Sequence, residues 1–408
     1  VVPVLNVQRS LVGLAVGALA FAGCDPQLVQ PILSPPPGDP CLNDSPADCN
    51  ADTANNCTLQ PNTVGCLTTD PTCALGECRG DDPYVHREGS SLLLHGKPYR
   101  FLGADQYSMA WTPCPDGAFA SQVPALTAGF DGLVPMKVNA MRFFAYQSFA
   151  GASGTDYSSF DNAVEYARRA GIRLIFVLAG MQSYGCGGEA DTEGTWFAGG
   201  YQNPYGNEAL SFVDYVSGLV THFRDEPTVL AWELVHEASC TSFADLWGFV
   251  SDMSQQIKAI DGNHLLSPGV DDGTSPATIN TGGASSDYGQ LHAIAEVDLV
   301  DIHDFNAPDA GMPANAGTDV QIAALLDKPA YFGATAVSLT DTGAASFTAR
   351  ASSIETKLVD ALEAGAVGFL VYDYLPDWTT PGLDFDNRAA EPLAAPDGGL
   401  AQHAFPNP

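Results

Sequence analysis

Eight short apolar runs, each separated from the next by a longer polar or amphipathic stretch, leave this chain few architectures. The runs cover residues 99–103, 139–144, 173–178, 229–234, 265–268, 299–303, 330–333 and 367–372. Each has the length of a strand buried on both faces. Between them, residues 160–170, 208–224, 243–260, 320–326 and 344–364 carry apolar side chains at helical spacing. A strand followed by a helix, repeated eight times over about 300 residues, predicts an α/β fold of the (β/α)8 TIM-barrel type. A doubly wound sheet shares much of that pattern. In a barrel, chemistry is done by the loops at the C-terminal ends of the strands, so the residues just after each run are the candidates for function.

The N-terminal residues read as an address. Arg9 is the only charge before an apolar run over 11–22, long enough for a secretory core and too short to span a bilayer comfortably. The run ends in Phe21-Ala22-Gly23-Cys24, which resembles a bacterial lipoprotein signal. That resemblance implies a signal peptide over 1–23, a lipid on Cys24, and a protein exported to the periplasm or cell surface and held to a membrane only through its lipid anchor. A proline-rich spacer follows over 24–40. Residues 41–81 hold Cys41, Cys49, Cys57, Cys66, Cys73 and Cys78 with few large apolar side chains, so cross-links must supply what a core does not. Three disulfides are predicted there, in any of fifteen pairings. The segment has no His and no CxxC spacing, which argues against zinc. The barrel is expected over 82–390 and a tail over 391–408.

Charge removes one class of partner. The chain has 48 Asp and Glu against 16 Lys and Arg, a formal net charge of −32. Nucleic-acid binding depends on cations that neutralise phosphates, so no nucleic-acid partner is expected.

The predicted strand ends carry a second resemblance. Tyr99-Arg100-Phe101-Leu102-Gly103-Ala104-Asp105, Asn139-Ala140-Met141-Arg142 and Gly171-Ile172-Arg173-Leu174-Ile175 resemble the first three strands of glycoside hydrolase family 5, in its mannanase-like branch. The segment 223–237, ending in Trp232-Glu233-Leu234-Val235-His236-Glu237, is similar to the fourth strand, which in that family ends in an Asn-Glu acid/base pair. Asn263-His264-Leu265-Leu266 and Val300-Asp301-Ile302-His303-Asp304-Phe305 resemble the fifth and sixth. The resemblance implies a β-linked polysaccharide or oligosaccharide as partner, with β-mannan or β-glucan as the class. It implies no cofactor and no metal, with Glu237 as general acid/base and Arg142 and His303 as ordering donors.

The residues support part of this without the family. Alternation along a strand would put Glu233 and Glu237 on one face and Trp232 and His236 on the other. A partly desolvated carboxyl at the barrel mouth is expected to have a raised pKa, as a proton donor to a glycosidic oxygen requires. Glu233, one layer deeper, reads as structural.

Three positions depart from the family pattern. Lys328-Pro329-Ala330-Tyr331-Phe332-Gly333-Ala334 matches the frame of the seventh strand, but Ala334 falls where the nucleophilic Glu belongs. His236 replaces the Asn of the fourth strand, and Tyr372 stands where the eighth usually presents Trp. An inverting enzyme needs only a base to activate water. Asp304, Asp373 and Asp377 are the alternative carboxylates, Asp373 only if its strand ends or bulges. The other reading is a catalytically inactive pseudoenzyme that serves as a surface glycan-binding module. Trp111, Trp196, Phe305, Tyr372 and Trp378, with Tyr107, Tyr184, Tyr201, Tyr205 and Tyr374, form a candidate sugar-binding rim. Cys114, Cys186 and Cys240 follow predicted strands, and a Cys186–Cys240 disulfide is expected to brace the mouth. A cysteine nucleophile is not expected in an exported chain.

Overall fold

In the computed structural model, every predicted strand is present. The structure describes residues 82–107, 109, 126–180, 195–206, 208–238, 240, 242–270, 286–305, 314–338, 346–374, 392–396, 398–405 and 407. The predicted signal, the Cys24 lipidation site, the spacer and the cysteine-rich segment lie outside these residues. So do Trp111, Cys114, Tyr184, Cys186, Asp377 and Trp378.

The first three strands, β1 (Val85–Glu88), β2 (Ser91–Leu94) and β3 (Lys97–Tyr99), form a small antiparallel sheet. The remaining eight are β4 (Phe101–Asp105), β5 (Ala140–Phe144), β6 (Arg173–Val177), β7 (Val229–Glu233), β8 (Leu265–Ser267), β9 (Val300–Asp304), β10 (Ala330–Thr335) and β11 (Gly368–Tyr372). They form one parallel sheet in the order β8-β7-β6-β5-β4-β11-β10-β9. The two end strands meet where the Asp298 and Leu299 N–H groups both donate to the Leu266 carbonyl, at 2.8 and 3.1 Å. Those two bonds bring the sheet round into a (β/α)8 TIM barrel, nearly closed by strand pairing alone.

The helices are α1 (Leu126–Leu133), α2 (Ser158–Ala170), α3 (Phe212–Phe223), α4 (Phe243–Ile260), α5 (Asp287–His292), α6 (Ala314–Leu325) and α7 (Phe347–Glu363). Serines cap several of them. The Ser211, Ser242, Ser286 and Ser346 hydroxyls accept from the N–H three residues on, which satisfies a donor that the first helical turn leaves open. α1 and α5 were not foreseen. α1 contains two glycines and α5 has six residues, too few to display a helical period.

The small sheet gives little signal in the sequence, because its strands are only three or four residues long. Val85, Leu92, Leu94 and Tyr99 from this sheet pack with Phe101, Leu230, Leu265, Leu299 and Val367 from the barrel interior. The cluster plugs the N-terminal end of the barrel. β4 starts at Phe101 rather than Tyr99 because Tyr99 completes β3, pairing with Leu92.

The second, larger cluster lies between strands and helices. Trp232 points into it, with its Nε1–H donating to Asp261 Oδ2 at 2.7 Å. Residues 391–408, expected as a tail, contribute Leu393 and Leu400 to this cluster. Asn407 donates to the Gly171 carbonyl at 2.9 Å, which ties the end of the chain to the loop before β6.

Candidate active site

Arg142, near the C-terminal end of β5, organises the barrel centre. It is fully buried, a position that a guanidinium holds only when its donors are paired. Its Nε and Nη2 donate to the two oxygens of Glu233, on β7, at 2.8 and 2.5 Å, a bidentate match of planar fork to carboxylate. Nη1 donates to Asp105, on β4. Tyr331, on β10, adds a hydroxyl donor to Glu233 at 3.3 Å. Glu233 is thus the buried partner of Arg142, as its depth suggested.

The fourth acceptor of Arg142 is His236. Nη2 donates to His236 Nδ1 at 2.9 Å, so this imidazole is neutral and carries its proton on Nε2. Burial and the Arg142 cation push the His236 pKa down to about 3, against the opposing pull of Glu237. His236 therefore faces the barrel centre, not the helix layer that alternation predicted. Alternation ends because β7 ends at Glu233. Beyond it the chain still hydrogen-bonds both neighbours, His236 N–H to the Ala179 carbonyl at 2.7 Å and Ala238 N–H to the Gly269 carbonyl at 2.8 Å. Glu237 sits in the left-handed region at φ 54°, uncommon for a residue with a side chain. Gly269 makes the close approach possible, since a Cβ there would lie 1.9 Å from the Val235 carbonyl oxygen.

Glu237 and His303 form a pair across the mouth. His303 Nδ1 lies 3.2 Å from Glu237 Oε1, and His236 Nε2 lies 3.9 Å from Oε2. Burial alone would raise the Glu237 carboxyl. The facing His236, the His303 hydrogen bond and charge, and Arg142 outweigh it, and the carboxyl sits well below its ordinary value. The raised pKa that the sequence predicted is thus reversed by neighbours that only folding brings together. The His303 pKa rises to about 9, because the hydrogen bond and charge of Glu237 outweigh the cost of burial. At neutral pH the pair holds one proton, on His303. Asp105, deeper and dry, is raised to about 6 by burial, with Arg142 pulling the other way.

Glu233, His236 and His303 have donor atoms within 4.8 Å of one another, a spacing compatible with a metal ion. Arg142 already donates to Glu233 and to His236. A second positive charge beside that guanidinium is electrostatically unfavourable, so the donor set does not fit a cation.

Six rings, His236 and His303 among them, close a circle beside Glu237. Centroid separations run from Tyr107 to Phe144 (5.6 Å), Phe144 to His236 (4.9 Å), His236 to His303 (5.7 Å), His303 to Phe305 (6.5 Å), Phe305 to Tyr372 (5.5 Å) and Tyr372 back to Tyr107 (6.1 Å). Of these, Tyr107 is a predicted rim residue, whereas Phe144 belongs to the second predicted strand, over 139–144. Its place follows from strand parity, two residues after the inward Arg142.

The other predicted residues divide. Ala334 lies in register with His303, after a bulge between Phe332 and Ala334, and so shares the inward face of that strand pair. Thr335 pairs with Asp304. Asp304 faces the helix layer, where its Oδ2 lies 3.0 Å from Lys357 Nζ on α7. Asp373 is fully buried directly after β11 ends, and Tyr374 N–H donates to the Asp105 carbonyl at 2.8 Å. Tyr374 itself points to α1, since a Cβ at Gly132 would meet its hydroxyl at 2.0 Å. Trp196 is buried among Phe197, Tyr201, Phe212 and Phe249. It also lines a shallow cleft with Tyr146, Gly180, Asn203 and Tyr205. Cys240 is buried, and its predicted partner Cys186 lies outside the described residues.

Comparison with known proteins agrees with the geometry at two levels. No protein-family model matches the chain. Mannan endo-1,4-beta-mannosidase 2 of Oryza sativa subsp. japonica is 27% identical over 264 residues, spanning 54% of this chain and 57% of that protein. Mannan endo-1,4-beta-mannosidase 3 of Arabidopsis thaliana is 24% identical over 265 residues, spanning 57% and 63%. The chain thus covers less than two thirds of these curated relatives. Among solved structures, the endo-1,4-beta-mannanase of Rhizomucor miehei superposes with a TM-score of 0.57 at 17% identity, covering 78% of this chain and 99% of that one. The hyperthermostable endo-1,4-beta-D-mannanase of Thermotoga petrophila RKU-1 gives 0.55 at 18%, covering 75% and 98%. At these identities the structural likeness establishes the fold alone.

Proposed function

We propose that this protein is a glycoside hydrolase acting on β-1,4-mannan or a related β-glycan, with Glu237 as the group that protonates the glycosidic oxygen. The observation that carries the reading is Glu237 held against His303, itself one of a closed circle of six rings at the mouth of the barrel. Flat ring faces with polar groups between them suit a pyranose. The names of the plant relatives support β-1,4-mannan as the substrate class. Glu237 receives the proton held on His303 Nδ1 when a sugar displaces water from the mouth. It then passes that proton to the leaving oxygen. Arg142 and Glu233 fix His236, whose Nε2–H is left to meet a sugar hydroxyl.

Ala334 favours a second reading, a surface module that binds glycan without cleaving it, because a methyl group neither attacks nor activates water. Incubation with mannan, glucomannan and cellulose separates the two. In the hydrolase reading the natural chain releases oligosaccharides, and Glu237→Gln lowers the rate by about 10²–10⁴. Binding without release in the natural chain, with cleavage appearing only in Ala334→Glu, would establish the module. As the signal-like segment suggests, we place the protein outside the cytoplasm on a lipid at Cys24, which labelling with a palmitate analogue and a Cys24→Ser variant tests.

A further inference from the structure

Beneath the Glu237–His303 pair lies a second pair of histidine and carboxyl. On β9, Val300 and Ile302 pack in the cluster between strands and helices, so the alternate residues Asp301 and His303 turn to the barrel interior. Both are fully buried. Asp301 Oδ1 lies 3.1 Å from Nε2 of His292, on α5, and His292 Nδ1 donates to the Tyr288 carbonyl at 2.9 Å. One proton is therefore shared between His292 and Asp301, and wherever it sits Oδ2 is an electron-rich oxygen. That oxygen has no hydrogen-bond partner among the described residues, and neither has His303 Nε2. In an interior this dry, such an oxygen acts on a ring on the same strand face through charge, without a hydrogen bond. Burial and Arg142 disfavour the protonated ring of His303, while Glu237 and then Asp301 favour it. The other groups facing the ring are committed. Asp105 and Glu233 bind Arg142, His236 is neutral, Tyr331 keeps its hydroxyl on Glu233, and Asp304 faces Lys357.

We infer that Asp301, steadied by His292, is a positioning residue for the proposed hydrolase: it holds one His303 proton on Nε2, so that Nδ1 is the atom that gives a proton to Glu237 and takes one back. This deepens the hydrolase reading and rests on it. In the step, the Nδ1–H bond breaks as an O–H bond forms on Glu237, and that proton then goes to the leaving glycosidic oxygen. His303 is left neutral with its proton on Nε2, and Nδ1 regains a proton from solvent through Glu237. A carboxyl group behind an imidazole that fixes which nitrogen keeps its proton is the part an aspartate plays in a hydrolytic triad, here without direct contact.

The test compares the full natural chain with Asp301→Asn, both labelled with nitrogen-15 histidine, by NMR titration of the His303 ring and by kinetics on an aryl β-mannoside. In the natural chain both ring nitrogens should carry protons at pH 7. In Asp301→Asn the titration midpoint of His303 should fall by about one pH unit or more. At pH 7 kcat should fall about tenfold or more while KM stays within about twofold, since Asp301 is buried away from the sugar and acts only through His303. A merely structural Asp301 would lower stability and leave the midpoint in place, so an unmoved midpoint in the folded variant overturns the inference. If the natural chain does not turn the mannoside over, the hydrolase reading fails and the midpoint alone judges Asp301. If Asp301→Asn does not fold, the natural chain decides: a proton on His303 Nε2 at pH 7 supports the role, and a bare Nε2 overturns it.

Discussion

His303 shows how one side chain takes its charge from its surroundings. Its Nδ1 edge meets Glu237, and its Nε2 edge lies beside Gly333, where a Cβ would come within 3.3 Å. The pair makes stability depend on pH in a defined direction. The folded pKa of His303, about 9, lies above its ordinary 6.5, so its contribution is complete below about pH 6.5 and is lost as pH rises toward 9. Glu237 is shifted down, so its contribution is present above its ordinary 4.5 and is lost in acid as the folded carboxyl protonates. Urea midpoints of the natural chain should therefore fall between pH 6.5 and 9 relative to those of Glu237→Gln, which lacks the carboxylate; parallel curves would contradict the pairing. Arg142 is a harsher case. Arg142→Met strands Asp105 and Glu233 as buried carboxylates and should cost about 3–5 kcal/mol, read from urea unfolding. If the loss is under about 1 kcal/mol, the network is not the brace inferred here.

At the level of elements, the closing of the barrel draws on one buried lysine. Lys328, just before β10, is buried and donates to the carbonyls of His292, Ile294 and Val297 at 2.5, 2.7 and 2.6 Å, which gathers the chain between α5 and β9. That chain supplies the Asp298 and Leu299 donors that join β9 to β8. Burial pushes Lys328 down to about 8, the cost of keeping an ammonium there. Lys328→Met should lower stability by about 2 kcal/mol or more, since each stranded carbonyl costs about 1–3 kcal/mol. Ser242→Ala, which removes only the cap of α4, should cost about 1 kcal/mol. The same denaturant series measures both, and equal losses would deny Lys328 its closing role. The Lys328-Pro329 pair was legible in the sequence as part of the seventh-strand frame, but its three carbonyl partners come from residues 31 to 36 positions earlier. Local pattern does not reach that far.

For the molecule as a whole, the chain end belongs to the barrel. Leu393 and Leu400 sit in the core between strands and helices, so Leu400→Ala should cost about 2–5 kcal/mol, seen as a lowered urea midpoint. A loss below about 0.5 kcal/mol would return 391–408 to the status of a tail. The sequence by itself determined eight buried strands, their order and the mouth on which Arg142, Glu237 and His303 stand, because strand length and alternation are local properties of a chain. It also determined that position 334 holds a methyl group. Tertiary structure alone decided that His236 turns inward, that Asp304 turns outward to Lys357, that the small sheet plugs the far end, and that Glu237 rests ionised against His303. Those outcomes depend on where strands end and which charges meet across the barrel. Both are set by packing between residues far apart in the chain, in an interior dry enough for a neighbour's charge to outweigh a group's own chemistry.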